Sequence, residues 1–411
     1  MRNNNYSIPS TILFLLFAVA LPNFGLRAYG QTETVISNFS ASTEEEPCAG
    51  VILDAAGNLY GTTYYGGNDG GGTVFELSPA TGGGWTQKVL YNFQYRGPGG
   101  LYPLSSLIFD AAGNLYGTAS SSYDVTRYGS VYKLTPQSDG SWTETVLHDF
   151  SHYGDGQQPQ SGLIFDAAGN LYGTTVFGGV YHGGIAFELK PLADGTWTEK
   201  VLHNFGNGKD GYDLTGSLIF DVAGNLYGTT NGGGTYGTGI AFELSPGPSG
   251  GWTERVLHEF GNSSTDGRSP YGNLVFDAAG NLYGTTGAGG TDDRGTVFEL
   301  SPKTGGGWQE KQLYSFNNST DGGFPVAGVT FDADGNLYGT TYAHGPYNAG
   351  SVFELTPDGG SWKETLLYTF TGKADGGTPE AGVILDGAGD IFGTTLNGGS
   401  QNGGTVFEIT R

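Results

Sequence analysis

Residues 54–63 read Asp-Ala-Ala-Gly-Asn-Leu-Tyr-Gly-Thr-Thr, and close copies of this stretch occur six more times along the chain. The later copies begin at Asp110, Asp166, Asp221, Asp277, Asp332 and Asp386, so the spacing is 54–56 residues throughout. A period of this length, made of strand-like segments and glycine turns, is typical of repeat architectures such as β-propellers. The stretch therefore predicts an all-β array of seven modules.

Each copy predicts a tight turn between two strands. A short apolar run precedes the Asp, and Asp54 and Gly57 occupy the first and fourth positions of a type I turn, where Gly supplies a positive φ. A short carboxylate there accepts a turn N–H. The same turn is predicted for Asp110 with Gly113, Asp166 with Gly169, Asp221 with Gly224, Asp277 with Gly280, Asp332 with Gly335 and Asp386 with Gly389. The alternative interpretation of the seven acids is a catalytic or metal-binding array.

Two further segments recur and complete a four-stranded unit. One reads Thr-Val-Phe-Glu-Leu or a close variant, and the other begins at a Trp in six of the seven modules. The last module lacks a Trp segment, whereas Thr32–Phe39 matches the pattern of Thr86–Phe93. We therefore predict a seven-bladed β-propeller with four antiparallel strands per blade, closed by the N-terminal strand, which completes the last blade. We expect the six Trp side chains to pack between blades.

The first thirty residues differ from the rest of the chain. Arg2, an apolar run from Ile12 to Leu21 and small residues at 28–30 predict a secretory signal peptide, cleaved before Gln31. The alternative is an uncleaved anchor. Residues 31–411 then form one propeller domain, which we expect to be secreted, monomeric and without a membrane span.

The charge of the chain excludes some classes of partner. The net charge is −23, and without residues 1–30 the chain carries 15 basic and 40 acidic residues, which gives −25. Nucleic acids and anionic membranes repel such a surface, so we expect neutral ligands or cations. Cys48 is the only cysteine, which excludes an intrachain disulfide. Its role is either packing or an intermolecular bridge.

Three recurring units carry a resemblance to a known family: Asp-x-x-Gly-Asn-Leu-Tyr-Gly-Thr-Thr, Gly-Thr-Val-Phe-Glu-Leu and Gly-Gly-Trp-Thr-Glu-x-Val-Leu. Together they resemble the glycine-rich GloVer tandem repeats of choice-of-anchor extracellular proteins, over essentially all of residues 31–411. The resemblance implies a bacterial exported repeat protein without an assigned chemistry. Family members often carry a C-terminal anchor, and no such segment precedes Arg411, so we expect plain secretion. A looser similarity to kelch and NHL-type propellers implies the same fold.

An Asp-Gly unit recurs in the loops between blades, where the fold places ligands by analogy. Its acids are Asp155, Asp266, Asp321 and Asp375, each followed by a Pro four residues later, and Asp210, which lacks the Pro. The unit is either a turn capped by Asp or an acidic collar that binds Ca²⁺ or hydroxyl-rich ligands. One Asp per blade would need carbonyl and water ligands as well. Asp332 and Asp334 resemble the start of a calcium loop without its closing ligands.

The loops between the second and third strands are the least repetitive segments. Their candidate ligand-binding residues are Tyr64, Tyr128, Tyr181, His182 and Tyr347, with Asp124, Arg127 and His344 as further departures from the repeat. Aromatic rings beside amides and acids suit sugar faces and hydroxyls, although they are also ordinary loop residues. His148, His203 and His258 fall on different fourth strands, too far apart for a shared metal site.

Three classes of function remain open. The first is a non-enzymatic extracellular protein that binds glycans or surface polymers, and the second is a polysaccharide lyase or hydrolase with one site at the channel mouth. The third is a structural or adhesive spacer. An enzyme needs one asymmetric cluster of acids and bases, so the regularity of the repeats favours the first and third classes. Ca²⁺ is the only cofactor that the sequence suggests.

Overall fold

A computed structural model describes residues 31–40, 44–95, 97, 99–121, 128–151, 153–317 and 321–411. It confirms the predicted fold: seven four-stranded antiparallel sheets form a β-propeller. The predicted signal peptide, residues 1–30, lies outside the described residues. Within the described part of the chain, no helix has the length and apolar character that crossing a membrane requires.

The strands recur in the same order in every blade. The first strands are Ile52–Leu53, Ile108–Phe109, Ile164–Phe165, Ile219–Phe220, Val275–Phe276, Thr330–Phe331 and Ile384–Leu385. The second strands are Leu59–Thr63, Leu115–Ala119, Leu171–Thr175, Leu226–Thr230, Leu282–Thr286, Leu337–Thr341 and Ile391–Thr395. The third strands are Thr73–Pro79, Ser130–Pro136, Ile185–Pro191, Ile240–Pro246, Thr296–Pro302, Ser351–Asp358 and Asn402–Thr410. The fourth strands are Trp85–Asn92, Trp142–Asp149, Trp197–Asn204, Trp252–Glu259, Trp308–Ser315, Ser361–Thr369 and, for the last blade, Thr32–Ser40.

The last blade is completed by the N-terminal strand, as predicted. Thr32 lies opposite Thr410 and Asn38 opposite Thr405 in an antiparallel register with two irregularities. Phe39 is fully buried at the end of this strand. The pairing joins the two ends of the propeller and covers a sheet edge that would otherwise be free.

The repeated Asp lies in a tight turn between the first two strands. Gly57 has a φ of 86°, and its N–H donates to the Asp54 carbonyl oxygen at 3.1 Å. The Asp54 carboxylate accepts hydrogen bonds from the N–H groups of Ala56 and Asn58, both at 2.8 Å, and from the Tyr60 hydroxyl at 3.2 Å. Burial alone would raise the pKa of Asp54, but these hydrogen bonds outweigh it and lower the pKa. Its carboxylate oxygens are thus engaged within the turn.

The six later turns have the same geometry. In each, the Gly has a positive φ: Gly113 (81°), Gly169 (84°), Gly224 (85°), Gly280 (85°), Gly335 (86°) and Gly389 (89°). Each of these glycines donates its N–H to the carbonyl oxygen of the Asp three residues earlier, from 3.1 Å for Gly113 to 3.3 Å for Gly335. The structure thus places all seven Asp and Gly pairs in turns and does not gather the acids into a catalytic or metal-binding array.

The core lies between neighbouring blades. Phe205 of one blade packs against Phe242 of the next, with ring centroids 4.9 Å apart. Trp252 packs against Tyr172 of the preceding blade, with ring centroids 6.5 Å apart, which agrees with the predicted role of the tryptophans. A Cβ built on Gly228 would lie 2.7 Å from Phe242 Cζ, so only Gly leaves room for the ring beneath the second strand.

Two short strand pairs and one helical turn complete the described structure. Glu44–Glu45 pairs with Tyr65–Gly66, Gly267–Arg268 pairs with Ala288–Gly289, and a 3₁₀ turn spans Tyr153–Asp155. Single bridges in the other blades occupy the equivalent place, as between Gly323 and Ala343. In every blade, the loop from the preceding blade is thereby tied to the loop that follows the second strand.

Candidate ligand site at the channel mouth

A central cavity of about 650 Å³ is lined by residues of all seven blades. Much of its wall consists of small residues such as Gly50, Ser106 and Gly328. The lining also includes one residue at an equivalent position of each blade, after the inter-blade loop and four residues before the first strand: Cys48, Leu104, Gln160, Thr215, Tyr271, Val326 and Glu380. These positions are equivalent in the repeat, yet no two carry the same residue. The cavity is therefore the place where a nearly symmetric fold becomes chemically asymmetric.

In each blade, the residue two positions before this variable lining residue is not Gly and yet has a left-handed backbone. The residues and their φ angles are Glu46 (58°), Tyr102 (64°), Gln158 (53°), Asp213 (66°), Ser269 (56°), Phe324 (57°) and Thr378 (60°). Hydrogen bonds on both sides fix this conformation. The Ser269 N–H donates to the Thr238 carbonyl oxygen of the preceding blade at 2.8 Å, and its carbonyl accepts from the Gly287 N–H at 2.9 Å. Such strain persists where neighbouring contacts determine it, and it occurs preferentially at functional sites.

The cavity wall brings an acid and a thiol together. Burial raises the pKa of the Glu380 carboxyl, and the nearby charge of Glu46 raises it further. Burial also raises the pKa of the Cys48 thiol, with Glu380 and Glu46 as the next causes. The thiol donates to the Glu46 carbonyl oxygen at 3.3 Å. A thiol held protonated in this way is a packing and hydrogen-bonding group rather than a nucleophile.

An aromatic cluster stands beside this wall. The ring centroids of Tyr64 and Tyr102 are 5.0 Å apart, and those of Tyr65 and Tyr102 are 5.3 Å apart. Burial, with a smaller contribution from Tyr65, raises the pKa of Tyr64 to about 12. Tyr65 and the neighbouring Tyr95 are exposed. The cluster thus presents ring faces and hydroxyl groups on the loops of the first two blades.

The inter-blade carboxylates lie elsewhere than the collar interpretation expects. None of the acids Asp155, Asp210, Asp266, Asp321 and Asp375 lines the cavity. Each accepts a hydrogen bond from a backbone N–H of its own loop, such as Gly206 to Asp210 at 2.9 Å. Each also faces a His or Tyr of the preceding fourth strand: Asp210 lies 3.2 Å from His203, and Asp321 accepts from Tyr314 at 2.6 Å. The structure therefore uses them as loop caps between blades and does not bring them together.

The calcium candidates show no cluster of ligands. Asp332 accepts hydrogen bonds from the Asn336 side chain and the Tyr338 hydroxyl, as its counterparts do in other blades. Asp334 is exposed and donates its N–H to Asp332. Across the described ranges, no group of three or more His, Cys, Asp or Glu side chains is arranged to hold a metal ion.

The loop residues proposed from the sequence are distributed over several blades. Tyr64 belongs to the aromatic cluster, whereas Tyr181, His182 and Tyr347 are exposed and do not line the cavity. The Tyr128 N–H donates to the Phe150 carbonyl oxygen at 2.7 Å. Asp124 and Arg127 lie outside the described residues. The sequence reasoning missed Glu380 and Tyr271, although their place just after the inter-blade loop unit was a signal that could have identified them.

Comparison with known proteins identifies the repeat. A family model described as the Gloeobacter/Verrucomicrobia repeat matches residues 23–219, 121–330 and 215–411. No curated protein matches the chain.

Solved structures show the same fold at low sequence identity. One is a "putative 6-phosphogluconolactonase" from Bacteroides uniformis, with 14% identity, a TM-score of 0.53, and coverage of 82% of this chain and 88% of that chain. Another is the extracellular domain of a "putative one component system" from B. thetaiotaomicron, with 12% identity, a TM-score of 0.53, and coverage of 93% of this chain and 42% of that chain. At identities this low, the similarity indicates a shared fold and does not indicate a shared function.

Proposed function

The chain belongs to the Gloeobacter/Verrucomicrobia repeat family, and we propose that it is a binding propeller that holds a hydroxyl-rich ligand, a saccharide unit of a glycan or surface polymer, at the mouth of its central cavity. The observation that carries this proposal is the pattern of variation inside the chain. Turns, strands and core residues recur in all blades, whereas the seven cavity-lining positions after the loops are all different. A purely structural role would not require this difference.

The chemistry of the lining supports a saccharide. Tyr271 and Tyr342 supply ring faces, while Gln160, Thr215 and Glu380 supply hydrogen-bonding groups. Sites for small ligands typically combine an apolar concave wall with a few polar groups. The cavity of about 650 Å³ lies within the usual range of about 300–1,000 Å³ for such sites. The exposed tyrosines beside the cavity extend the surface on which further sugar units could stack.

We place the protein outside the cell. This part of the proposal depends on the amino-terminal apolar run, Ile12 to Leu21, and the small residues before Gln31. Its test is amino-terminal sequencing of the protein recovered from the medium of an exporting bacterial host. A mature terminus at Gln31 supports the proposal, and retention of Met1 on a cell-bound chain contradicts it.

A second candidate is hydrolysis or elimination on the same saccharide. The observation that favours it is Glu380, a cavity carboxyl whose pKa is raised by burial and by the charge of Glu46. A carboxyl whose pKa is raised holds its proton more tightly, as a general acid requires. Glu380→Gln separates the two candidates: a binding protein keeps intact oligosaccharide with either residue, whereas an enzyme releases products only with Glu380.

The test is a glycan array probed with the native protein, with and without Ca²⁺. The variant Tyr271→Ala removes a cavity ring and should reduce retention about fivefold or more, because a ring stacked on an aromatic side chain gains about 1–3 kcal/mol from that contact. Asp266→Asn is the matched control, since that carboxylate lies between blades. Retention of no glycan under either condition would reject binding and favour the structural spacer. An equal loss of glycan retention in both variants would show that the ligand does not bind in the cavity.

A further inference from the structure

Arg294, on the loop face of the propeller, makes no ion pair within 4.0 Å among the described residues. Arg294 is half-buried in the loop after the second strand of the fifth blade, and its guanidinium lies over the Phe324 ring, 5.4 Å from the centroid. Its Nε atom is buried without a hydrogen-bond acceptor in the described part of the chain. In contrast, Arg268 pairs with Asp293, and Arg411 pairs with Glu354 at 3.0 Å.

The nearest acid in sequence does not satisfy this guanidinium. The charge of Arg294 contributes to the lowered pKa of Asp293, but the backbone N–H of Gly289 and the Arg268 side chain are larger causes. The Asp293 carboxylate accepts from Gly289 at 2.8 Å and binds Arg268. In a chain with a net charge of −23, a guanidinium that is oriented by a ring and not by a carboxylate requires an explanation.

His344 completes the cluster at a backbone position that favours Gly. Its φ is 64°, and its ring centroid lies 4.9 Å from that of Phe324. The equivalent residue is Gly in five other blades, with φ between 77° and 91°: Gly66, Gly178, Gly233, Gly289 and Gly398. An L residue is strained there and Gly is not. The fold therefore does not account for the His.

The backbone at Gly323 lies close to both His344 and Arg294. A Cβ built on Gly323 would lie 3.1 Å from His344 Cδ2 and 3.2 Å from Arg294 Cβ. The Phe324 N–H donates to the Arg294 carbonyl oxygen at 2.8 Å, which fixes the Phe ring relative to the guanidinium. Phe324 lies two residues before Val326, and His344 two residues after Tyr342, and both of those residues line the cavity. Two of the three residues of the cluster are therefore close in sequence to residues that line the proposed ligand site.

We propose that Arg294 and His344, oriented by Phe324, form an oxyanion subsite that binds the carboxylate or sulfate group of an acidic glycan. This inference rests on the proposed function and narrows its ligand class. A guanidinium presents planar pairs of N–H donors that match a carboxylate or sulfate, and stacking on an aromatic ring restricts its orientation. The imidazole N–H adds a third donor. The overall negative charge does not prevent binding, because salt at physiological strength screens charges over about 8 Å.

Burial lowers the pKa of His344, and the neighbouring Arg294 lowers it further. The lowered pKa favours the neutral imidazole, which offers one N–H and one acceptor nitrogen. A bound oxyanion accepts from the N–H and compensates the guanidinium charge. Acidic ligands thereby gain an interaction that neutral oligosaccharides of the same length do not make.

The experiment compares three probes of equal length: a neutral oligosaccharide, an oligogalacturonate and a sulfated oligosaccharide. Arg294→Gln should weaken both acidic probes roughly tenfold to a hundredfold, since a charge-assisted hydrogen bond is lost, and should leave the neutral probe unchanged. The two acidic probes distinguish carboxylate from sulfate recognition. Arg268→Gln is the matched control, because that guanidinium already has a partner. Equal effects of Arg294→Gln and Arg268→Gln on the acidic probes would overturn the subsite.

A second variant distinguishes loss of the subsite from misfolding. An NMR titration tests the subsite independently of the glycan proposal. His344→Gly restores the sequence of the other blades, so the fold should persist with an unchanged or higher Tm while acidic binding falls. In NMR spectra of histidine-labelled protein, titration with sodium sulfate or sodium acetate should move the His344 signal to saturation in the native protein and not in Arg294→Gln. A saturable response without retention of any glycan would keep the subsite and reject the glycan proposal. No saturable response to either salt would reject the subsite.

Discussion

Replacement of Glu199 by Gln should make the propeller more resistant to alkaline pH. Glu199 lies on a fourth strand, two residues after Trp197, between neighbouring blades. Burial, with the charge of Asp155 as a second cause, raises its pKa from 4.5 to about 8. The equivalent acids Glu33, Glu254 and Glu364 have pKa values raised to about 7. The first blade carries Gln87 at this position, so the fold already accepts the amide.

The sign of the effect follows from proton binding. The folded chain holds the Glu199 proton more tightly than the unfolded chain does, so the stability that this proton contributes is complete below about pH 4.5 and is lost as the pH rises through about 8. A pKa difference of one corresponds to about 1.4 kcal/mol, which gives an upper bound of about 5 kcal/mol for Glu199. Partial exposure of the carboxyl to solvent reduces this to about 2 kcal/mol.

The assay is urea unfolding of the native protein and Glu199→Gln at pH 5 and pH 9. At pH 5 the two should have nearly equal free energies of unfolding, because Gln mimics the protonated Glu. At pH 9 the variant should be more stable by about 2 kcal/mol. Parallel pH profiles for both proteins would refute the buried, protonated state of this carboxyl. Lys200→Gln on the same strand is the control and should leave the difference between the two pH values unchanged.

Three further predictions concern the ring, the core and the thiol. Removal of residues 31–40 from the mature protein should lower Tm far more than an ordinary terminal deletion, because the last blade loses its fourth strand; equal midpoints in thermal melts would contradict ring closure. Gly228→Ala should cost about 1–3 kcal/mol in urea unfolding, since the new Cβ meets the Phe242 ring. Gly387→Ala, with no neighbouring atom within 4 Å, is its control. Cys48 should react with a disulfide reagent at least tenfold more slowly in the folded protein than in urea, because burial raises the pKa of its thiol; equal rates would contradict this.

The fold could be predicted because its determinants are repeated. The Asp54 turn, the Trp positions and the Phe75 strand recur in nearly every module. A single sequence therefore contains several independent instances of each pattern. The match between Thr32–Phe39 and Thr86–Phe93 was sufficient to predict ring closure, which the pairing of Thr32 with Thr410 confirms. In these segments, local turn chemistry, strand pattern and core packing all favour the same structure.

The candidate site could not be predicted by the same reasoning. Repetition drew attention to the loop acids such as Asp266, and these cap loops between blades. The cavity residues Glu380 and Tyr271 directly follow the recurring loop unit, but their own side chains differ from blade to blade, so repetition did not single them out. The strain at Phe324 is also invisible in the sequence, since its left-handed backbone is imposed by contacts between blades and the equivalent positions carry no Gly.

The most direct test of a ligand site at the channel mouth is a crystal structure of the protein with the oligosaccharide that the array retains most strongly. We predict density for a sugar ring inside the cavity, against Tyr271 or Tyr342 and within hydrogen-bond distance of Gln160, Thr215 or Glu380. Density for the oligosaccharide only on the outer fourth strands, with the cavity filled by water, would contradict the proposal.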